Sequence, residues 1–430
     1  MIWFDKVHLL DPASGIDGTG CLLVENGVIS RLGSASDMGK PPKDARIISA
    51  DGAVLIPGLV DMRVQSRNPG FAHQESPVTL ARAAAAGGIT SLVCLPNTQP
   101  VLDNPDSLAA LSRQGHDGIP APRLYAYGAA TQGLEDKAMA ELGLLAEAGA
   151  VGFTNATGPI SDSLMMRRIM DYATMLDKPV IQHAEDLALS RDGEMHEGET
   201  SARLGLRGIP AEAEEIMIAR DITLARATGV RYHVAHVSTA RGVDLIRKAK
   251  AEGIAITCDI APPYYMLNDL AVMNYDTRFQ LSPPLREETD RQAILEAIAD
   301  GTIDCIASDH APLDRDSKLL PFGQAAAGAS GLETLLPMMR WLAREGYVSL
   351  SRAVEMVTAA PATLLDLPGG SLTPGAAADL CLFAPDRAWQ VRGENFRSLS
   401  HNTPFEGQPV EGMVLSTWVD GVMIYPGEDD

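Results

Sequence analysis

From Leu59 onwards the chain alternates short, almost continuously apolar runs with stretches whose apolar residues recur at helical spacing. The runs Leu59–Val64, Ile89–Leu95, Arg123–Tyr127, Ala150–Thr154, Pro179–His183, Tyr232–Val237, Ile254–Asp259 and Ile303–Asp309 predict eight strands. Most lack polar alternation, as expected of strands buried on both faces. The intervening segments Thr79–Ala86, Leu164–Met175, Ala211–Ala227, Gly242–Ala251 and Asp290–Ala299 predict amphipathic helices. This order predicts an α/β chain built on a (β/α)8 TIM barrel. The two ends have a different texture, with short strand signals and turn chemistry in GIDGTGCLLVENGVISRLG and LTPGAAADLCLFAP. Neither end alone has enough strands to bury a stable face. Residues 1–56 and 365–430 are therefore expected to build one small β-sandwich domain beside a barrel of residues 57–364.

Polar chemistry in such a barrel gathers at the C-terminal ends of the strands. There the sequence places Arg63, Gln65 and Arg67 after strand one, Asn97 after strand two, and Asn155 and Ala156 after strand four. It places His183 after strand five, His236 after strand six and Asp309 after strand eight. A single histidine at a strand end is more often a hydrogen-bonded structural residue than a ligand. Three metal-competent side chains ending three different strands point instead to one shared cavity. Two imidazoles and a carboxylate suit zinc or manganese, with Asp309 as the general base if a metal-bound water reacts. His233 is expected on the same side of strand six but lower in the barrel, in a structural role.

Composition narrows the functional classes. The chain has 430 residues with a formal net charge of −21, and the acidic excess is spread along its length. Such a surface repels phosphate backbones and anionic lipid, which argues against nucleic-acid and membrane partners. No apolar run approaches the ~18 residues of a membrane span, and the start, MIWFDKVHLLDPASG, carries no basic leader. The five cysteines form no CxxC pair. That spacing fits a reduced, cytoplasmic protein with cysteines packed in its core.

The signposts PGLVDM at Pro57, SRNPG at Ser66, LPNTQP at Leu95, GAVGFT at Gly149, QHAED at Gln182 and EGETSARLGLRGIPAEAE at Glu197 occur in order. AHVST at Ala235, SPPLR at Ser282, SDHAP at Ser308 and NTPF at Asn402 follow. With these motifs the chain resembles the dihydroorotases of the amidohydrolase superfamily almost end to end. The resemblance implies cyclisation of N-carbamoyl-aspartate to dihydroorotate in pyrimidine synthesis, a dinuclear zinc centre, and association with aspartate transcarbamoylase. It also implies that Arg67 and Asn97 hold the substrate carboxylate, and that His183, His236 and Asp309 are retained metal ligands.

The departures from that family are as specific as the matches. Arg63 and Gln65 stand where the family has His-x-His, and Asn155 and Ala156 where a bridging acid is expected. Ser282 replaces an asparagine and Leu313 a histidine. A dinuclear centre needs about four ligands per metal and negative charge to offset it, whereas the Arg63 guanidinium stays cationic. The expectation is a dihydroorotase-like protein without dinuclear zinc, holding no metal or one weakly bound zinc, with Arg63 filling part of the pocket and bonding Asp309. Such a protein would act as a structural partner of aspartate transcarbamoylase. A homo-oligomer and a bound small carboxylated ligand are compatible with this expectation. The alternatives are an active dihydroorotase with a single metal, or another cyclic amidohydrolase such as a hydantoinase or allantoinase.

Overall fold

The computed structural model describes residues 1–113 and 120–426, so the last four residues of the expected C-terminal segment lie outside it. The barrel strands are β1 (Leu59–Val64), β2 (Ile89–Cys94), β3 (Arg123–Ala126, continued by Gly128–Ala129), β4 (Phe153–Thr154), β5 (Val180–Gln182), β6 (Tyr232–Val234), β7 (Ile256–Ile260) and β8 (Cys305–Ile306). Neighbours pair in parallel in chain order, β1 to β2 to β3 and then β3 through β8. Beyond β8, a parallel bridge between His310 and Val64 brings the chain back to β1, where Gln65 N donates to the His310 carbonyl at 2.9 Å. The expected (β/α)8 architecture holds.

The expected helices begin within two residues of their observed starts, three of them behind a side-chain cap. Ser76 Oγ accepts from Thr79 N, and Thr79 Oγ1 accepts from Ser76 N, ahead of Pro77–Ala86. Asp162 caps Ser163–Met175 and Thr239 caps Ala240–Ala251 in the same way. The helices bury one stripe each against the outer face of the strands, in a core that includes Leu80, Ile169, Ile218, Ile246 and Ile298. The barrel interior is filled by Met62, Val93, Tyr127, Ile181, Ala235 and Cys305. All five cysteines are buried and free.

The ladders are shorter than the apolar runs suggest. β4, β5, β6 and β8 stop at Thr154, Gln182, Val234 and Ile306, ahead of the polar residues assigned to strand ends. Shortly beyond three of these ends the backbone enters the left-handed region, at Ala156 (φ 61°), His236 (φ 34°) and Asp309 (φ 49°). A residue at positive φ cannot continue a ladder, and it turns its side chain away from the strand's alternation. His233, on the ladder, keeps the alternation and faces the way of its cross-strand neighbours Ile181 and Thr257.

Strands from both ends of the chain form one eight-stranded mixed sheet. Ile2–Asp11, Ile16–Glu25, Val28–Gly33, Arg46–Ser49 and Val54–Pro57 come from the N-terminal side, and Leu380–Gln390, Pro409–Val419 and Val422–Tyr425 from the C-terminal side. The two sets join where Leu380–Gln390 pairs antiparallel with Val54–Pro57. Phe4, Leu22, Leu55, Leu380 and Trp418 pack one face. Arg123 ties this sheet to the barrel, with a two-pronged ion pair to Asp379 (2.9 and 3.1 Å) and a contact to Asp420 at 2.7 Å. The contact is close: a Cβ at Gly88 (φ 80°) would meet Cys381 Sγ at 2.6 Å. No helix among the described residues is long and apolar enough to cross a membrane.

Candidate functional site

The cavity at the C-terminal mouth of the barrel has a volume of about 330 Å³. Arg63, Gln65, Arg67, Asn97, His183, Ser282, Asp309 and Leu313 all line it, so most of the residues singled out in the sequence converge there. The pairing of β1 with β2 slips between Asp61 and Val64, where β1 carries an extra residue. Such a bulge bends the strand and re-aims its side chains. Arg63 sits within it.

The centre of the site is an ion pair. Arg63 is 3% exposed, and its Nε donates to Asp309 Oδ1 at 2.9 Å. Its Nη2 donates to the Ala156 carbonyl at 3.3 Å, while Nη1 is buried with no hydrogen-bond partner among the described residues. Burial raises the Asp309 carboxyl above its ordinary value, and the Arg63 charge and hydrogen bond oppose that rise. The two strand-end histidines face each other, with His183 Nδ1 3.2 Å from His236 Nε2. Burial, with Arg63 and His183 adding to it, holds His236 well below the usual histidine range, so its ring is neutral near pH 7.

The substituted positions are also engaged. Gln65 Oε1 accepts from Asn97 Nδ2 at 3.0 Å, so one of the two residues expected to hold a carboxylate is bonded to the side chain standing at a ligand position. Asn155 Oδ1 accepts from both the N–H and the hydroxyl of Thr131 at 3.1 Å and does not line the cavity. Ala156 contributes its carbonyl to Arg63. Arg67 (φ 58°) donates from Nε to the Pro312 carbonyl at 3.0 Å, and burial lowers its pKa to about 10, so it remains a cation at neutral pH.

A dinuclear metal centre does not fit this set of residues. Among the described residues no three His, Cys, Asp or Glu side chains come together as a metal site. Asp309 is paired with a fixed cation, and the two imidazoles are bonded to one another rather than opened towards a common point. A buried guanidinium repels a divalent ion where the centre needs negative charge.

Three carboxylates that support the site were not singled out in the sequence. Asp61, fully buried, accepts from the Arg63 and Ser308 backbone N–H groups (3.3 and 3.1 Å) and so ties β1 to the end of β8. Burial raises its pKa to about 7 against those two bonds. Asp259 accepts from His236 N at 2.7 Å and from His233 Nε2 at 2.9 Å, which gives His233 a structural place. Glu185 lies 3.2 Å from His183 Nε2; burial would raise its pKa, but the bond and charge of His183 outweigh this and hold it below the usual range. Glu185 was legible in QHAED; Asp61 and Asp259, lone acids inside apolar runs, carried no such signal.

Comparisons with known proteins agree with this architecture. Residues 52–241 match a family described as dihydro-orotase-like, and residues 198–425 match the amidohydrolase family. The chain is 42% identical to a dihydroorotase of Syntrophus aciditrophicus, over 97% of both chains. It is 43% identical to one of Pelotomaculum thermopropionicum, over 97% of this chain and 96% of that one. Among solved structures it superposes on the L-hydantoinase of Arthrobacter aurescens with a TM-score of 0.87, 26% identity and coverage of 98% and 95%. The dihydropyrimidinase of Brevibacillus agri, at 22% identity and a TM-score of 0.85, shares the fold over 98% of this chain and 94% of its own. With relatives this similar over nearly the whole length, the chain belongs to the dihydroorotase family of amidohydrolases.

Proposed function

We propose that this chain is a dihydroorotase-family protein of pyrimidine synthesis that has exchanged its metal centre for an ion pair and no longer turns over dihydroorotate. The observation that carries this reading is the 2.9 Å contact between Arg63 Nε and Asp309 Oδ1. Family chemistry requires a metal-activated water and a carboxylate free to take its proton. Here Asp309 is paired with a cation that cannot release a proton. His183 and His236 would be two neutral ligands without a third, and the amide oxygens of Gln65 and Asn155, the only atoms there that could ligate, already accept from Asn97 and Thr131. The Asp309 carboxylate is kept and the Arg63 guanidinium supplies the positive charge beside it, so the carboxylate is not left unpaired.

A well-packed barrel without its nucleophile is suited to a structural role. We assign that role, by the family resemblance, to association with aspartate transcarbamoylase in the cytoplasm. The test is elemental analysis of the purified chain after growth with added zinc, together with co-purification of a tagged chain with the aspartate transcarbamoylase of its own host. Absence of zinc and recovery of the complex support the reading. Stoichiometric zinc on His183, His236 and Asp309 would replace it with the single-metal enzyme, and a chain that purifies free of aspartate transcarbamoylase would remove the structural role.

A further inference from the structure

A second cleft lies away from the mouth, where the long hairpin of the terminal sheet, Leu380–Gln390 with Pro409–Val419, meets the barrel helix Leu335–Arg344. It has a volume of about 220 Å³ and shares no lining residue with the mouth cavity. Aromatic residues make up only 5% of the chain, yet Trp389, Phe396 and Tyr425 all line this one cleft. Phe396 is buried, and Trp389 Nε1 donates to the Gly412 carbonyl at 3.0 Å, which fixes the indole ring. An aromatic wall that faces a cleft forgoes contacts that a flat ring would supply.

Two charged side chains that line the cleft, Glu333 and Arg392, make no ion pair among the described residues. Glu333 Oε1 accepts from the Arg397 and Ser398 backbone N–H groups at 2.6 and 3.4 Å, while Oε2 has no hydrogen-bond partner among the described residues. Burial raises this carboxyl to about 7, against those two bonds and the Arg397 charge. Arg392 is exposed at the rim and spends Nη2 on Gln390 Oε1 at 2.8 Å, which leaves other guanidinium N–H groups for an anion. The bonds from Glu333 also anchor the segment that carries Arg392 and Phe396, so carboxylate, ring and cation are held in one fixed relation.

We propose that this cleft binds a single-ring heteroaromatic ligand with an anionic arm. The ring lies among Trp389, Phe396 and Tyr425, a ring N–H donates to Glu333 Oε2, and the arm meets Arg392 at the rim. A volume of about 220 Å³ falls below the range of drug-sized pockets, which suits one ring and its substituent. A pyrimidine nucleoside monophosphate has this chemistry: a flat ring to stack, an N–H donor for the carboxylate and a phosphate for the guanidinium.

The test is calorimetric titration of the full chain with uridine monophosphate, with uridine, ribose 5-phosphate and adenosine monophosphate as comparators. Uridine monophosphate is expected to bind saturably with a Kd below about 1 mM. Uridine, without the anion, and ribose 5-phosphate, without the ring, should each bind about tenfold or more weakly; adenosine monophosphate, with its second ring, should also be weaker. Arg392→Gln should weaken uridine monophosphate by about tenfold or more and leave uridine unchanged, a pattern that a merely structural arginine would not give. Trp389→Leu and Glu333→Gln should weaken both ligands by about tenfold or more. Arg67→Gln, at the mouth, should leave the affinity for uridine monophosphate unchanged. The proposal is overturned by no saturable binding, by a comparator that binds as tightly, by unaltered affinity in any of the three cleft variants, or by loss in R67Q instead. The cleft stands apart from Arg63 and Asp309, so none of these outcomes depends on whether a metal binds at the mouth.

Discussion

Replacing Arg63 and Asp309, singly and together, isolates the interaction on which the mouth of the barrel is built. Two unit charges about 4 Å apart attract by about 4 kcal/mol at an effective dielectric of ~20. The Arg63 side chain is 3% exposed, but that of Asp309 is 18% exposed and lines a cavity open to solvent, so screening reduces the coupling to about 2–3 kcal/mol. Arg63→Ala leaves a desolvated carboxylate and frees the Ala156 carbonyl, while Asp309→Ala leaves the guanidinium with one remaining acceptor. Each single change is expected to cost about 3–4 kcal/mol, within the range for breaking a buried pair. For 430 residues the unfolding entropy is about 0.9 kcal/mol/K, so each single variant should melt about 3–4 °C lower. The double variant should cost little more than either single one. Urea unfolding of all four proteins closes the cycle. A coupling below about 0.5 kcal/mol, meaning additive single effects, would refute the ion pair as the replacement for the metal.

Other consequences follow from the same geometry. Asp61, fully buried with its pKa raised to about 7, binds its proton more tightly folded than unfolded; stability therefore falls as pH rises from about 4 to about 7 and levels off above that. The effect is on the order of 4 kcal/mol, and Asp61→Asn should remove it. His196, held down to about 4 by burial and by Arg286, contributes the opposite slope between about 6.5 and 4, so the readout is the wild-type minus D61N difference in urea midpoints across pH. Restoring ligand chemistry with R63H/Q65H/N155D removes the guanidinium and returns two imidazoles and an acid, and should raise zinc content measured by elemental analysis above that of the wild type; an unchanged content would mean that the rest of the mouth also excludes metal. Arg123→Ala removes its ion pairs between the barrel and the terminal sheet and should cost about 1–2 kcal/mol in urea unfolding, since its paired Asp379 is nearly buried while Asp420 is exposed.

Much of the frame was legible because it rests on local rules. The helices followed from the helical spacing of apolar residues and the barrel order from the spacing of apolar runs; the caps at Ser76, Asp162 and Thr239 then place three of the helix starts. Arg63 and Asp309 are 246 residues apart, yet their meeting could be expected, because the first and last strands of a closed barrel are neighbours. The strand ends were less legible. Histidine and aspartate adopt the left-handed backbone more often than most residues, but that preference does not single out His236 and Asp309 among the chain's other histidines and aspartates, and the turn shortens the ladders at the residues that carry the chemistry. The contact of Asn97 with Gln65 was hidden for another reason: it joins two side-chain amides from different loops, whose rotamers only the packed mouth decides.

An arginine–aspartate pair standing in for the metal-activated water leaves the chain without a nucleophile for dihydroorotate. The decisive assay is dihydroorotate hydrolysis by the purified, zinc-supplemented chain, with no other protein present. No turnover above the buffer blank is expected; hydrolysis that scales with protein and disappears on chelation of zinc would show that the site still runs on a metal.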